Sequence, residues 1–359
     1  MCIRDRPSFI VAGITDSTGA GGHGSETRMR TGEVLAKETL NLESSESKRT
    51  PTAAEAAQAR ERINQMLAKK DLGKHEEAEL RRSLGDLDEK LEDPLGAVRE
   101  YERAAGLDSS EPNYFAWGAD LLLHRAAAPA IEVFGRGVRL HPNSARMLAG
   151  LGAALYASGS ADEAAQRLCE ASDLEPANSA PYLFLGRMQE AAAAALLCAE
   201  QKLARFAHNQ PGNALANYYY ALALWKQGRG SENSDSLRHA EALLEKAAAI
   251  DPKLDAANLQ LGNLYFARGA LPEALAAYQK AIASNPEGSA AHYRLGLTYK
   301  RMGEEAKAQS EIEQYKQLEK NEAAMIERQR REVRQFLFVL KDQPDSHAIS
   351  EPSPQSAPK

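Results

Sequence analysis

The feature that most constrains this chain is a set of small residues that recurs about every 34 residues. These small residues are Gly85, Gly118, Gly152, Gly186, Ala221, Gly262 and Gly296, separated by 33, 34, 34, 35, 41 and 34 residues. In most copies an alanine, a large apolar residue, a second small residue and a proline follow at nearly constant steps. A period of this length indicates stacked copies of one supersecondary unit.

Each copy is expected to be a helical hairpin. Apolar residues recur at the spacing of one helix face, as at Leu148, Leu151 and Leu155. A proline such as Pro142 closes most copies, and it disfavours helical geometry at the residue before it. The small residues would let the two helices of a hairpin approach closely. The sequence therefore predicts an all-α chain.

This pattern resembles the tetratricopeptide repeat (TPR) family over residues 78–318, in about seven units. The first copy departs from the family pattern at Asp88 and the last at Tyr315, as is common in terminal units of an array. The resemblance implies a right-handed α-solenoid whose first helices line a concave groove. It also implies that the groove binds a peptide or a partner helix.

The regions outside the repeats are expected to be simpler. We interpret 1–51 as an irregular leader, 52–77 as an N-terminal helical cap, 319–342 as a C-terminal helix extension and 343–359 as a disordered tail. The first six residues resemble adapter read-through, an interpretation under which the natural N-terminus is missing. The insertion at 228–236, between the helices of one unit, is expected to be a surface loop.

Composition excludes several classes of protein. Lys plus Arg total 44 against 50 for Asp plus Glu, so the formal net charge is −6, which disfavours a general nucleic-acid binder. The longest apolar runs fall well short of the roughly 20 residues that cross a bilayer. The sequence predicts a soluble protein that is cytoplasmic, or periplasmic or secreted if an export signal is missing from its start.

The cysteines Cys2, Cys169 and Cys198 are too few and too scattered to indicate a disulfide framework or a zinc cluster. We expect Cys169 and Cys198 to be buried thiols. The eight histidines show no His-x-x-x-His spacing, so the sequence predicts neither a metal site nor a cofactor.

The predicted groove residues lie on first helices, one step from the packed face, and combine aromatic rings with polar or cationic groups. For Tyr156, Tyr219 and Phe266, packing between repeats is an equal alternative. Trp225 and Tyr218 are the strongest candidates, because large amphipathic rings often dominate interface energetics. The full set is Phe115, Tyr156, Arg187, Tyr218, Tyr219, Trp225, Asn263, Phe266, Tyr293, Arg294 and Lys300.

Beyond the last repeat, residues 304–340 keep apolar residues at helical spacing and predict one long helix. Its first part should cap the array. The apolar run Phe336–Leu340 could dock back on the array or pair with a second copy in a homodimer.

These features favour a non-catalytic scaffold for protein–protein interaction. One alternative is a scaffold subunit of the cell envelope that dimerises through the C-terminal helix. A remote alternative is a nucleotide-binding enzyme, because Gly19–Gly24 matches Gly-x-Gly-x-x-Gly. No βαβ unit surrounds that loop, since everything downstream is expected to be helical.

Overall fold

The computed structural model describes residues 52–69, 71–228, 234–319 and 323–343, without the side chains of residues 53, 234 and 323–329. These ranges contain sixteen α-helices and no strand. The helices are α1 (Ala53–Leu67), α2 (Lys74–Lys90), α3 (Pro94–Leu107), α4 (Glu111–Leu123), α5 (Ala127–Leu140), α6 (Ala145–Ala157), α7 (Ala161–Leu174), α8 (Ser179–Ala191), α9 (Ala199–Asn209), α10 (Ala214–Gly228), α11 (Ser234–Ile250), α12 (Asp255–Ala267), α13 (Leu271–Ser284), α14 (Ser289–Arg301), α15 (Glu305–Leu318) and α16 (Ala323–Lys341). The predicted leader with its Gly19–Gly24 loop, most of the insertion and most of the tail lie outside the described residues.

From α2 to α15 the helices pack in consecutive pairs, and each pair packs on the next. The seven pairs are α2–α3, α4–α5, α6–α7, α8–α9, α10–α11, α12–α13 and α14–α15. Each hairpin contacts mainly its sequence neighbours, which is the organisation of a solenoid. The prediction of an all-α solenoid is confirmed.

The small residues of the repeat allow a ring of the second helix to lie against the first. A Cβ atom at Gly118 would lie 2.9 Å from the ring of Phe134, which is fully buried. A Cβ atom at Gly262 would overlap the ring of Tyr278. Glycine inside a helix costs about 0.5–1 kcal/mol relative to alanine, and the buried ring is the packing gain that offsets this cost.

The turn between the two helices of a hairpin requires a left-handed backbone seven residues after the small residue. Glycine fills this position in three units, with φ of 93° at Gly159, 82° at Gly269 and 80° at Gly303. Glu92 and Arg125 hold the same position with φ of 61° and 67°. Side chains other than glycine are strained in this region, so the first two hairpins have less favourable turns.

The first repeat is extended by α1. Thr52 and Glu55 form a capping box at the start of this helix, and Ile63 of α1 is buried with Leu80 and Leu87 of α2. Asp88, at a position where the family pattern has an aromatic residue, is buried and pairs with Arg60 of α1 at 2.8 Å. The atypical residue of the terminal repeat therefore contacts the helix that covers it.

The prediction of one long helix over 304–340 is wrong. Helix α15 ends at Leu318 and α16 begins at Ala323. The break allows α16 to lie back across α4, α6 and α8, the first helices of three consecutive hairpins. A continuous helix could not return to these helices. Burial of each large apolar side chain contributes about 1.5–3 kcal/mol, which favours the returned position.

The prediction of free thiols at Cys169 and Cys198 is also wrong, because the two form a disulfide with a Cα–Cα distance of 6.5 Å. Cys169 lies on α7, and Cys198 directly precedes α9. The stacking of neighbouring hairpins brings together residues 29 apart in sequence. The non-helical residues 192–198 between α8 and α9 place Cys198 within reach, although Ala191–Ala195 resembles the start of a helix in the sequence.

Candidate functional site: the groove formed by the first helices

The groove is the surface formed by the first helices of the hairpins, from α2 to α14. It has two parts in the described structure. The central section, on α4, α6 and α8, is covered by α16. The open section is an accessible cavity of about 690 Å³ lined by α10, α11, α12 and α14.

Apolar contacts hold α16 in the central section. Phe336 stacks on Phe184 of α8 with ring centroids 4.2 Å apart and an interplanar angle of 3°. Tyr156 of α6 packs edge-on against Phe184 at 5.6 Å. Four side chains of α16 are buried in the same core cluster as Phe184, and Leu340 is completely inaccessible. These are Val333, Phe336, Leu337 and Leu340.

Polar contacts fix the C-terminal end of α16. Lys341 lies 2.6 Å from Asp86 of α2. Arg146 of α6 donates from Nη1 to the carbonyl oxygen of Gln343 at 3.2 Å, and the Gln343 amide donates to Asn178 at 3.3 Å. Charged and directional contacts at one end define the position of the helix along the groove, which apolar contacts alone would not.

Two predicted groove residues are buried in the core, which corrects their assignment. Phe115 is 2% exposed and packs against Phe134, with the Arg146 guanidinium 5.0 Å from its ring centroid. Tyr218 is 4% exposed, and its hydroxyl donates to Glu190 at 3.0 Å. Burial and the Glu190 carboxylate raise the pKa of Tyr218 well above its usual value. Neither ring is available at the groove surface.

Tyr219 packs between repeats, which was the alternative to a place in the groove. It is 4% exposed, and its ring fills the space beside Gly186 of the preceding hairpin. Burial raises its pKa to about 12, and Arg187 acts in the opposite direction. Arg187 therefore contacts the array itself, where the sequence placed it in the groove.

Tyr156 lies in the central section against Phe184, and the other predicted residues divide between the open section and the array end. Trp225, Asn263, Phe266 and Arg294 all line the cavity. Tyr293 and Lys300 are exposed on α14 but do not line it, and Tyr293 packs against Tyr315 at 5.0 Å. The structure thus brings four predicted residues into one site on three successive first helices.

The open section has a positive lining. Four basic side chains, Lys226, Arg238, Arg268 and Arg294, face one acidic side chain, Glu241. Arg268 pairs with Glu241 at 2.6 Å, and Arg238 pairs with Asp235, which does not line the cavity. Lys226 donates to the backbone carbonyl of Glu190 at 3.0 Å. The site therefore combines two partly exposed rings, Trp225 and Phe266, with an excess of positive charge.

Sequence reasoning missed several residues that the fold brings together. Phe184 contacts α16 and Arg146 contacts Gln343, two residues beyond its end, but in the sequence both resemble ordinary repeat positions. Glu89, Asp120 and His124 form a compact group of potential metal ligands on α2 and at the end of α4. The signal available in the sequence was Asp120, because the other six repeats have an uncharged residue at the same position.

Among the helices that the structure describes, none combines the length and the apolar character that a membrane-spanning helix needs.

Comparisons with known proteins agree with the repeat analysis. A family model described as "Tetratricopeptide repeat" matches residues 120–181, and one described as "TPR repeat" matches residues 262–303. No curated protein sequence matches the chain.

Two solved structures share the fold over most of the chain. The C-terminal part of a TPR repeat-containing protein from Cytophaga hutchinsonii matches with a TM-score of 0.52 and 17% identity, covering 74% of this chain and 98% of that one. A tetratricopeptide repeat protein from Parabacteroides merdae matches with a TM-score of 0.51 and 12% identity, covering 72% and 98%. At these identities the likeness establishes the fold alone.

Proposed function

Since the chain belongs to the tetratricopeptide repeat family, we propose that it is a non-catalytic scaffold that binds a protein partner in its groove. The observation that carries this proposal is the open section, where four residues expected from the sequence line one accessible cavity. The cavity is lined by three successive first helices and by the start of the second helix α11, so a segment lying in it would contact several repeats at once.

The lining indicates the chemistry of the partner. Trp225 and Phe266 offer partly exposed rings, which favour apolar or aromatic side chains. Four basic groups against one acidic group favour a partner with negative charge. The open section therefore fits a peptide segment that alternates acidic residues with aromatic or aliphatic ones.

A displayed peptide library selected on the full chain tests this proposal. We expect the selected peptides to be acidic and aromatic, and their affinity to fall about tenfold or more in Trp225→Ala and Arg294→Glu. Arg136→Glu is the matched control, because it makes the same charge change on an exposed position of α5, a second helix. Fluorescence anisotropy of one labelled peptide measures all four proteins.

Equal binding to the wild type and to both groove variants would contradict the proposal. Loss of binding in Arg136→Glu to the same extent would also contradict it, because the effect would then follow net charge and not the cavity. Far-UV circular dichroism confirms that each variant keeps its helical content.

The central section suggests a second mode of binding, in which a partner helix exchanges with α16. The carrying observation is that the chain's own amphipathic helix occupies this section. A tethered helix competes with any partner at high effective concentration, so only a partner with a better matching apolar face would displace it. Release of α16 by substitution should therefore open the section to a helix added in trans.

The disulfide favours the cell-envelope alternative as the setting of this scaffold. Disulfides such as Cys169–Cys198 persist in oxidising compartments and are uncommon in the cytosol of mesophiles. Phe336 and Leu340 are buried in the chain's own groove. A dimer formed through the C-terminal helix would therefore require two copies to exchange α16.

A further inference from the structure

A group of three potential ligands lies where the first two hairpins meet. Asp120 and His124 stand four residues apart on α4 and at its end, so they share one face. His124 Nε2 lies 2.6 Å from Glu89 Oε1 and 3.8 Å from Asp120 Oδ1. The offered atoms of all three residues lie within 4.8 Å of one another.

Asp120 is the unusual member of this group. Its side chain is 3% exposed, and neither carboxylate oxygen has a hydrogen-bond partner in the described structure. Lys341 is the neighbouring positive charge, but it pairs with Asp86. The nearest basic group on the same face, His124 Nε2, lies 3.8 Å from Asp120 Oδ1, which is beyond hydrogen-bond distance. A buried carboxylate without a hydrogen-bond partner is costly.

The repeat supplies an internal comparison for this position. Asp120 lies two residues after the small residue of its unit, and that position is buried in every copy. None of the other six copies carries an ionisable side chain there; they have Leu87, Ala154, Met188, Ala223, Leu264 and Thr298. Packing of the hairpin therefore does not require an acid at this position, and Asp120 needs another explanation.

We propose that Glu89, Asp120 and His124 bind a divalent transition-metal ion of the zinc class. One imidazole and two carboxylates are a donor set that zinc accepts, with a water molecule completing four-coordination. The imidazole argues against magnesium and calcium, which prefer oxygen ligands. Two carboxylates balance the charge of the ion, and Asp120 gains the partner that it lacks.

The ion would link two neighbouring hairpins. It joins α2 of the first hairpin to α4 of the second, beside the Lys341–Asp86 pair that anchors α16. His124 is 38% exposed, which gives an ion access from solvent. Metal binding should thus stabilise the N-terminal end of the groove, where the last turn of α16 docks.

Titration of the untagged, chelator-treated full chain with Co²⁺ tests the proposal, with Zn²⁺ displacement as the second step. We expect one ion per chain, a visible d–d absorption band, and loss of that band on addition of Zn²⁺. His124→Gln and Asp120→Asn should each weaken Co²⁺ binding by about tenfold or more. His208→Gln, an exposed histidine on α9, should leave binding unchanged.

Asp120→Leu separates metal binding from folding, because leucine occupies this position in the first and sixth copies. We expect this variant to fold, to unfold at a higher temperature than the metal-free wild type, and to gain no stability from Zn²⁺. Absence of stoichiometric binding in the wild type would overturn the proposal. Equal Co²⁺ binding by the wild type, Asp120→Leu and His124→Gln would overturn it as well.

Discussion

Substitution of Phe336 with aspartate should release α16 from the groove while leaving the seven hairpins folded. Truncation of a fully buried phenylalanine costs about 3–5 kcal/mol, and Phe336 is 5% exposed and stacked on Phe184. An aspartate there would also bury an unpaired charge. Amide hydrogen exchange in residues 333–341 should become at least about a hundredfold faster, since each 1.4 kcal/mol is a factor of ten.

The matched control is Phe338→Asp on the same helix, because Phe338 is 54% exposed. This variant should keep the slow exchange of the wild type. A synthetic peptide with the sequence of residues 323–343 should bind Phe336→Asp and not the wild type, where α16 already fills the central section. Unchanged exchange in Phe336→Asp would show that α16 is not held by this contact.

Removal of the disulfide should be the second large effect. Cys169 and Cys198 close a loop with a sequence separation of 29, for which loop entropy gives a stabilisation of about 3–4 kcal/mol. The double variant Cys169→Ala, Cys198→Ala should therefore unfold at a lower urea concentration than the oxidised wild type. Circular dichroism during urea titration, with and without dithiothreitol, measures the difference.

The reducing agent provides the control for this prediction. Dithiothreitol should destabilise the wild type and leave the double variant unchanged, because the variant has no bridge to break. In a solenoid the loss should be concentrated in the hairpins that the bridge joins, α6–α7 and α8–α9. Identical urea curves for the wild type with and without dithiothreitol would contradict the presence of this disulfide.

The repeat architecture could be predicted from the sequence because its signals are local. Each of these signals acts within one or two helices. They are a small residue such as Gly118, a proline such as Pro142 and apolar residues at helical spacing. The ring that packs against each small residue follows from the same spacing, as Phe134 and Tyr278 show. Stacking of units with the same pattern then produces a solenoid.

The lining of the groove was predicted less well because it depends on the exact rotation of each first helix. Trp225 and Tyr218 lie on the same helix, yet Trp225 lines the cavity and Tyr218 is buried. Seven residues separate them, so an ideal helix would place them only about 20° apart. Contacts with the neighbouring hairpin, here with Glu190, decide which ring is covered.

Contacts between residues distant in sequence were beyond the sequence analysis. Lys341 and Asp86 are 255 residues apart, and the spacing of apolar residues in α16 indicates a buried face without indicating what buries it. The ligand group shows the same limit, because Glu89 approaches Asp120 and His124 only after two hairpins stack. Alignment of the repeats did carry a signal there, namely the charge of Asp120 at an otherwise uncharged position.

The chain's own α16 occupies the central section of the groove. The most direct test is a zero-length carbodiimide cross-link between Lys341 Nζ and Asp86 Oδ1, which lie 2.6 Å apart. Mass spectrometry of a mixture of isotope-labelled and unlabelled chains distinguishes links within one chain from links between two. We predict a Lys341–Asp86 link within single chains of the monomer fraction, lost in Phe336→Asp. Absence of this link in the wild type, or its occurrence only between labelled and unlabelled chains, would contradict the docking of α16 on its own chain.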